Sequence, residues 1–145
     1  MNDLEKAKNL LKNKQYTFVA VSKGRIIKIS HERGIIPMLE IIRDHQNILA
    51  ETVIADKVIG KAAALLAAGY KVKQIYAEIL SQQAKEVLDL YSILYQYENY
   101  VAYIQNRSKN DKCPMEKLTQ GIKEPKIAYL RILQYYNEVL KMDFS

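Results

Sequence analysis

The chain has 145 residues, of which 49% are hydrophobic, and its formal net charge is +6. This length suits one domain with a buried core, and the hydrophobic content excludes a disordered chain. No apolar run approaches the length that crosses a membrane, and the first residues lack the layout of a signal peptide. Since one cysteine cannot form an internal disulfide, we expect a cytoplasmic protein without a membrane partner.

The positive charge is spread along the chain and is not gathered into a recognisable binding motif. Its densest run, at 109–126, contains five lysines mixed with three acidic residues. Excess positive charge without such a motif gives only salt-sensitive attraction to phosphates. We therefore expect a solvated, lysine-rich surface and no specific nucleic-acid binding.

The first predicted elements are a helix and a β-hairpin. Residues 3–12 place apolar side chains at the spacing of one helix face, with Asp3 as the candidate N-cap. The segments 16–22 and 26–30 are rich in β-branched or aromatic residues, and Gly24 between them suits a tight turn. These two strands should pair antiparallel.

Strands and helices then alternate along the chain. A helix is predicted over 34–45, with Pro37 in its first turn. We predict strands at 51–55, 73–78 and 93–97, a helix at 58–68 ended by Gly69, and a helix at 82–91 capped by Ser81. This alternation is typical of parallel crossovers. Further helices are expected at 100–105, 114–120 and 125–142.

These elements predict an α/β fold, a three-layer α-β-α sandwich around a mixed central sheet. Residues 1–145 should form a single domain, in which about 123–145 is a C-terminal helical extension.

The first candidate site lies at 56–64, where a strand is predicted to enter a helix. Ligands of such sheets collect beyond the carboxyl ends of strands, where helix N-termini present unpaired N–H groups. Asp56 would there accept a hydrogen bond or act as a base, Lys57 would contact an anion, and Gly60 would let a ligand approach the backbone. The alternative makes Asp56 the N-cap of the helix and Gly60 a packing contact.

The second candidate site surrounds Cys113, the only cysteine. Pro114 suits the first position of a helix, and a thiol at a helix N-terminus is activated by the helix dipole and nearby cations. Cys113 would then be a nucleophile, with Asp56 or Glu116 as the acid or base. The alternative is structural, because no histidine is placed as its partner and Glu116 would bond the backbone N–H of Cys113 in a capping box.

Other classes of site lack the residues they need. One cysteine and two histidines, with neither CxxC nor HExxH, cannot build a thiolate-rich zinc site, and no glycine-rich nucleotide loop is present. We therefore expect no metal and no cofactor. Asn106 and Arg107 would clamp a carboxylate or phosphate, or else order their own loop.

Three segments together resemble the domain-of-unknown-function family 1893. They are RGIIP at 33–37, DKVIGKAAA at 56–64, and Asn106-Arg107 followed by CPME at 113–116. The resemblance covers about 16–120 and implies a fold similar to that of cytidine deaminases, with a mixed sheet between helices. That family has no established activity.

The resemblance does not extend to the chemistry of zinc. Zinc-dependent deaminases place His or Cys, and Glu two residues later, at one helix start and Pro-Cys-x-x-Cys at the next. By element order these starts correspond to 32–34 and 56–60, and neither carries the ligands. A pocket kept at this position would be lined by Arg33, Gly34, Asp56, Lys57, Gly60, Asn106 and Arg107.

Two functions from different classes remain open at this point. The first is a metal-free protein that binds a small anionic or nucleotide-like molecule. The second is a metal-free enzyme that uses Cys113 with Asp56 or Glu116. A third role is interaction alone, in which the helix at 125–142 docks a second subunit to form a homo-oligomer.

Overall fold

The computed structural model describes residues 1–105, 108–109 and 111–143, so the predicted clamp residues Asn106 and Arg107 lie outside the described residues. The helices are α1 (Asp3–Asn13), α2 (Ile36–His45), α3 (Lys61–Gly69), α4 (Gln82–Leu90), α5 (Pro114–Leu118) and α6 (Pro125–Gln134). The strands are β1 (Phe18–Ser22), β2 (Arg25–Ser30), β3 (Thr52–Ile59), β4 (Gln74–Ser81) and β5 (Leu94–Val101). A 3-10 helix, Gln46–Glu51, follows α2, and a π-helical turn, Tyr135–Val139, follows α6.

The five strands form one mixed sheet in the order β2-β1-β3-β4-β5. The predicted hairpin is confirmed, since β1 and β2 pair antiparallel around a turn in which Lys23 and Gly24 have φ of 49° and 80°. The predicted parallel crossovers are confirmed as well, because β3 pairs parallel with β4 and β4 with β5. Strand β1 joins the two parts by pairing antiparallel with β3.

Helices cover both faces of the sheet. On one face, Ala7 and Leu11 of α1 pack against a small apolar cluster that includes Val53 and Tyr76. On the other face, residues of α2, α3, α4 and α6 form the larger core with the sheet. The molecule is therefore a mixed α/β protein whose layers are consistent with an α-β-α sandwich.

Two helix predictions, the start of one helix and the existence of another, are wrong for the same physical reason. The helix predicted at 58–68 begins at Lys61, because β3 continues to Ile59 and there pairs with Leu80 of β4. The helix predicted at 100–105 is absent, since β5 runs on to Val101 and the residues that follow form bends and an isolated bridge. In both places strand pairing outweighs the local helix propensity of the sequence.

The N-cap predicted for the first helix is also wrong. Asn2 caps α1, and its Oδ1 accepts the backbone N–H of Glu5 at 2.8 Å. The carboxylate of Asp3 instead accepts the N–H groups of Lys23 and Gly24, each at 2.9 Å, and so fixes α1 to the hairpin turn. By contrast, Ser81 caps α4 as predicted and accepts the N–H of Ala84 at 3.1 Å.

Helix α6 packs against α3, and its buried residues Ala128 and Ile132 belong to the larger core. An added Cβ at Gly69 would come within 3.1 Å of Pro125, so the end of α3 and the start of α6 are in close contact. In the described part of the chain no helix is both long and apolar enough to cross a membrane.

Candidate functional site

The candidate site lies where the three parallel strands end. Strands β3, β4 and β5 run in one direction, so their carboxyl ends meet at one edge of the sheet. There β3 ends at Ile59, Gly60 follows as the N-cap of α3, and no side chain from the cap position satisfies the first N–H groups of that helix. A helix N-terminus at this edge is the usual place for an anion in an open α/β sheet.

The segment after β5 packs directly on this helix start. A Cβ added at Gly60 would lie 2.8 Å from Glu116 Oε1 and 3.1 Å from Ile104 Cγ1. A side chain here would force Glu116 and Ile104 to shift, so the close approach of these two groups, and not the φ of −101°, favours glycine at this position. The neighbours of Gly60 are side chains of the chain itself, so the structure shows the packing contact of the alternative interpretation, and approach of a ligand stays a prediction.

Glu116 occupies the start of α3 at a cost in free energy. It is 6% exposed, and its Oε1 has no hydrogen-bond partner. Burial raises the pKa of Glu116, while the nearby N–H groups of Ile104 and Lys61 and the charges of Lys112 and Lys61 oppose that rise. The two N–H groups therefore favour the charged carboxylate, but their geometry falls short of a hydrogen bond to Oε1. A buried carboxylate oxygen without a hydrogen bond destabilises the fold.

Lys61, the first residue of α3, is the second buried charge at this position. It is 9% exposed, and its Nζ forms no hydrogen bond or ion pair with any of the described residues. Burial lowers its pKa, and the negative charge of Glu116 opposes that shift. Lys61 and Glu116 thus stabilise each other's charge at a separation longer than a salt bridge.

The N-cap role predicted for Asp56 is wrong, whereas its predicted role toward a ligand stays a prediction. Because Gly60 caps α3, Asp56 is not an N-cap, and it lies inside β3 between its partners Phe18 and Ala77, which belong to the larger core. It is 8% exposed, and its Oδ1 accepts the N–H of Val58 at 3.2 Å. Burial raises the pKa of Asp56 to about 8, and the charge of Glu78 adds to that rise against the two backbone N–H groups that oppose it. Asp56 is therefore protonated at neutral pH, and it is a buried acid four residues before Gly60.

The remaining predicted ligand residues lie farther from this helix start. Lys57 is the neighbour of Asp56 inside β3, so its side chain leaves the strand on the side opposite to that of Asp56. Arg33 and Gly34 follow β2, whose last residue Ser30 shares a row of the sheet with Phe18 and Asp56. Arg33 and Gly34 therefore lie at the same edge of the sheet as the end of β3. Because β1 lies between β2 and β3, the ends of these two strands are roughly 10 Å apart.

Cys113 is half-buried and packs against the larger core. Its backbone N–H donates to the carbonyl of Ile104 at 2.8 Å, so the predicted capping-box bond from Glu116 to that N–H is wrong. Gln105 and Lys112 form an antiparallel bridge next to this bond. The ribbon of residues 103–105 and 112–113 thereby holds Glu116 over the start of α3.

The described residues contain no group of three His, Cys, Asp or Glu side chains that could hold a metal ion. Two shallow cavities lie elsewhere on the surface, one of about 220 Å³ beside Arg43 and one of about 390 Å³ beside Lys73. Neither includes a predicted site residue, and we give them no role, because both are open and lie away from the carboxyl ends of the parallel strands.

The comparisons with known proteins agree with this architecture. The family described as TM1506, domain of unknown function (DUF1893), matches residues 6–136. The chain belongs to the DUF1893 family. The predicted resemblance to family 1893 is therefore confirmed. A crystal structure of a DUF1893 family protein (TM1506) from Thermotoga maritima is similar, with 28% sequence identity and a TM-score of 0.83, over 91% of this chain and 88% of that chain. No curated protein matches.

Within this DUF1893 chain, sequence reasoning missed Lys61 and Ile104 as parts of the site. Lys61 was hidden inside a predicted helix, and only the end of β3 at Ile59 makes it the first residue of α3. Ile104 was hidden inside the helix wrongly predicted at 100–105. If the strand had been predicted to extend to Ile59, Gly60 would have been recognised as the N-cap and Lys61 as the first residue of the helix.

Proposed function

We propose that this DUF1893 protein binds a small molecule with a phosphate or carboxylate group at the N-terminus of α3. Glu116 holds that position when the site is empty, and the ligand's anionic group replaces it. The segment that carries Ile104 and Glu116 moves aside to admit the ligand.

The observation that carries this proposal is the unpaired Oε1 of a carboxylate buried at a helix start. A structural carboxylate at this place would normally accept the free N–H groups of the helix. An incoming oxyanion centred on those N–H groups would gain hydrogen bonds that Glu116 does not make. Displaced Glu116 would regain its hydration, which offsets part of the cost of opening.

The charges around the site favour an anion over a cation. Lys61 and Lys112 act on Glu116 as positive charges, and Lys123 acts on Lys61 in the same sense. Release of Glu116 would remove the largest negative charge that acts on Lys61 and leave only that of Glu86. A phosphate group would restore the balance, which is why phosphorylated small molecules are the preferred class.

We also propose that the fold is cytidine deaminase-like, as the family resemblance implies. Support comes from the order of elements, a hairpin followed by two parallel crossovers. The helix starts at 32–34 and 56–60 lack deaminase zinc ligands, so the proposed site uses backbone N–H groups and lysines in their place. Superposition on a zinc-dependent deaminase tests this, and it fails if the strand order or directions differ.

Isothermal titration calorimetry with inorganic phosphate, uridine and uridine 5′-monophosphate tests the proposed site. We expect inorganic phosphate and uridine 5′-monophosphate to bind. Uridine should bind at least ~10-fold more weakly, since it lacks the charged phosphate group. Lys61→Met should weaken phosphate binding by ~10-fold or more. Glu116→Gln should strengthen it, because the competing negative charge is removed.

Two matched variants serve as controls. Glu124→Gln alters an exposed acid at the start of α6 that makes no capping bond, and it should leave binding unchanged. Lys57→Met alters the lysine on the opposite face and should also be neutral. Binding lost in Lys57→Met but kept in Lys61→Met would overturn the proposed position. The proposal as a whole fails if neither phosphate binds at millimolar concentration, or if Glu116→Gln abolishes binding.

A further inference from the structure

The two edges of the sheet are protected to different degrees. The outer strand β2 carries Arg25 and Lys28, and the pairing of β1 with β2 shifts register between Ala20 and Val21. Charged side chains and irregular pairing are the usual devices that prevent an edge strand from adding another strand. This edge is therefore closed to association.

The opposite edge, β5, pairs regularly and carries a single charged side chain, Glu98. It is eight residues long, its sequence LYQYENYV contains no lysine, arginine or proline, and it pairs with β4 without a shift of register. Within the described residues no strand pairs with its outer side. Apolar and aromatic side chains stand exposed along it, with Leu94 at 66% and Tyr100 at 49%. A long, regular edge with one charged residue is expected to pair with another strand.

The charges that flank β5 are already neutralised within one chain. On the face of α1, Glu98 forms an ion pair with Lys12. On the face of α4, Lys85 and Asp89 form an ion pair at 3.1 Å, and Asp89 also accepts a hydrogen bond from Tyr95 at 2.6 Å. Lys8 adds one positive charge on the face of α1, where its Nζ donates to Gln96 Oε1 at 3.4 Å. Because the other charges that contact β5 are paired, two copies of β5 can approach with little repulsion between like charges.

We propose that β5 is a self-association edge, at which two copies of the chain pair antiparallel about a two-fold axis. The sheets then join into one of ten strands, with the protected β2 edges at both ends. A second copy is the occupant that the charges favour, because each copy presents the same tyrosine-rich strand, whose single acid, Glu98, is already paired with Lys12. Such a two-fold contact uses both exposed edges at once and stops at the dimer.

The tyrosines give this edge its contact area. The rings of Tyr95 and Tyr97 stack with centroids 6.3 Å apart, and Tyr97 contacts Tyr100 at 5.9 Å. Aromatic rings already ordered by their neighbours lose little side-chain entropy when a partner covers them. In the proposed dimer, the row of tyrosine rings would continue across the two-fold axis into the second copy.

Sedimentation equilibrium of the full chain over a range of concentrations tests the proposal. We expect a dimer that Tyr100→Lys weakens, with a rise in the dissociation constant of at least ~10-fold, because each copy brings a lysine to the shared edge. Ile29→Lys is the matched control, since Ile29 is a comparably exposed apolar residue on the β2 edge at 43%. It should change the dissociation constant by less than ~2-fold.

Leu94→Lys repeats the test at the other end of β5, in case Tyr100→Lys lowers the stability of the monomer, and circular dichroism melts identify such a loss. Hydrogen exchange provides a second readout, in which amides of β5 gain protection as the protein concentration rises and amides of β2 do not. A wild-type chain that stays monomeric at several hundred micromolar overturns the proposal. So does a dimer that Ile29→Lys disrupts and both β5 variants leave intact.

Discussion

Replacement of Asp56 by asparagine should change how the stability of this protein depends on pH. Burial raises the pKa of Asp56 to about 8 from its ordinary value of 3.8. The folded state therefore keeps the proton up to about pH 8, whereas the unfolded chain releases it near 3.8. Between these values the folded state binds more protons, so the free energy of unfolding of the wild type falls as the pH rises.

The size of the effect follows from the gap between the two pKa values. About four pH units at about 1.4 kcal/mol each give an upper limit of ~6 kcal/mol. Water and small movements around the charged carboxylate reduce this, and we expect ~2–4 kcal/mol. Asp56→Asn keeps an Oδ1 that can accept the N–H of Val58, and it has no proton to lose.

Urea denaturation at pH 5, 7 and 9 measures the difference. The variant should be more stable than the wild type by ~1.5 kcal/mol at pH 5, where the unfolded carboxyl is already ionised, and by ~2–4 kcal/mol at pH 9. Asp44→Asn is the control, since Arg43 lowers the pKa of the exposed Asp44 and any effect of that acid is lost as the pH falls through its folded pKa. Parallel curves for wild type and Asp56→Asn between pH 5 and 9 would refute the assignment of Asp56 as a buried neutral acid.

Two further predictions concern the groups packed in the interior. Gly60→Ala should lower the free energy of unfolding by ~1 kcal/mol, because its Cβ would press on Glu116 and Ile104. Most of that loss should disappear in a Glu116→Ala background. Thermal denaturation of the wild type, the two single variants and the double variant measures this, and fully additive effects would contradict the contact. Tyr76→Phe should change the free energy of unfolding by less than ~0.5 kcal/mol, since the buried hydroxyl of Tyr76 has no hydrogen-bond partner. Glu98 and Lys12 are near enough to influence the pKa of Tyr76, but neither is placed to form that bond. A loss above ~1.5 kcal/mol on urea denaturation would show that the hydroxyl is bonded after all.

The elements predicted best are those whose signals are local. The hairpin follows from two β-rich segments around Gly24, and the start of α4 follows from the serine at 81, whose hydroxyl caps the helix. The parallel arrangement follows from the alternation of strands and helices. Each of these depends on residues close in sequence, so a single chain is enough to reveal them.

The parts that failed depend on partners distant in sequence. Nothing local distinguishes Lys57-Val58-Ile59 as strand from the same residues as the first turn of an alanine-rich helix, and pairing with β4 decides it. The placement of Glu116 against Gly60 joins residues more than fifty positions apart. The sequence placed Gly60 and Glu116 in separate candidate sites, and only the structure shows that the two residues are in contact.

The bond between Cys113 and Ile104 has a consequence for how such a chain can vary. Together with the bridge between Gln105 and Lys112 it fastens both ends of the intervening loop. Extra residues inserted between those ends would lengthen the loop without shifting the carboxylate beyond it, and a doubling of loop length costs only ~0.6 kcal/mol. The same fold can therefore carry loops of quite different size beside an unchanged helix start.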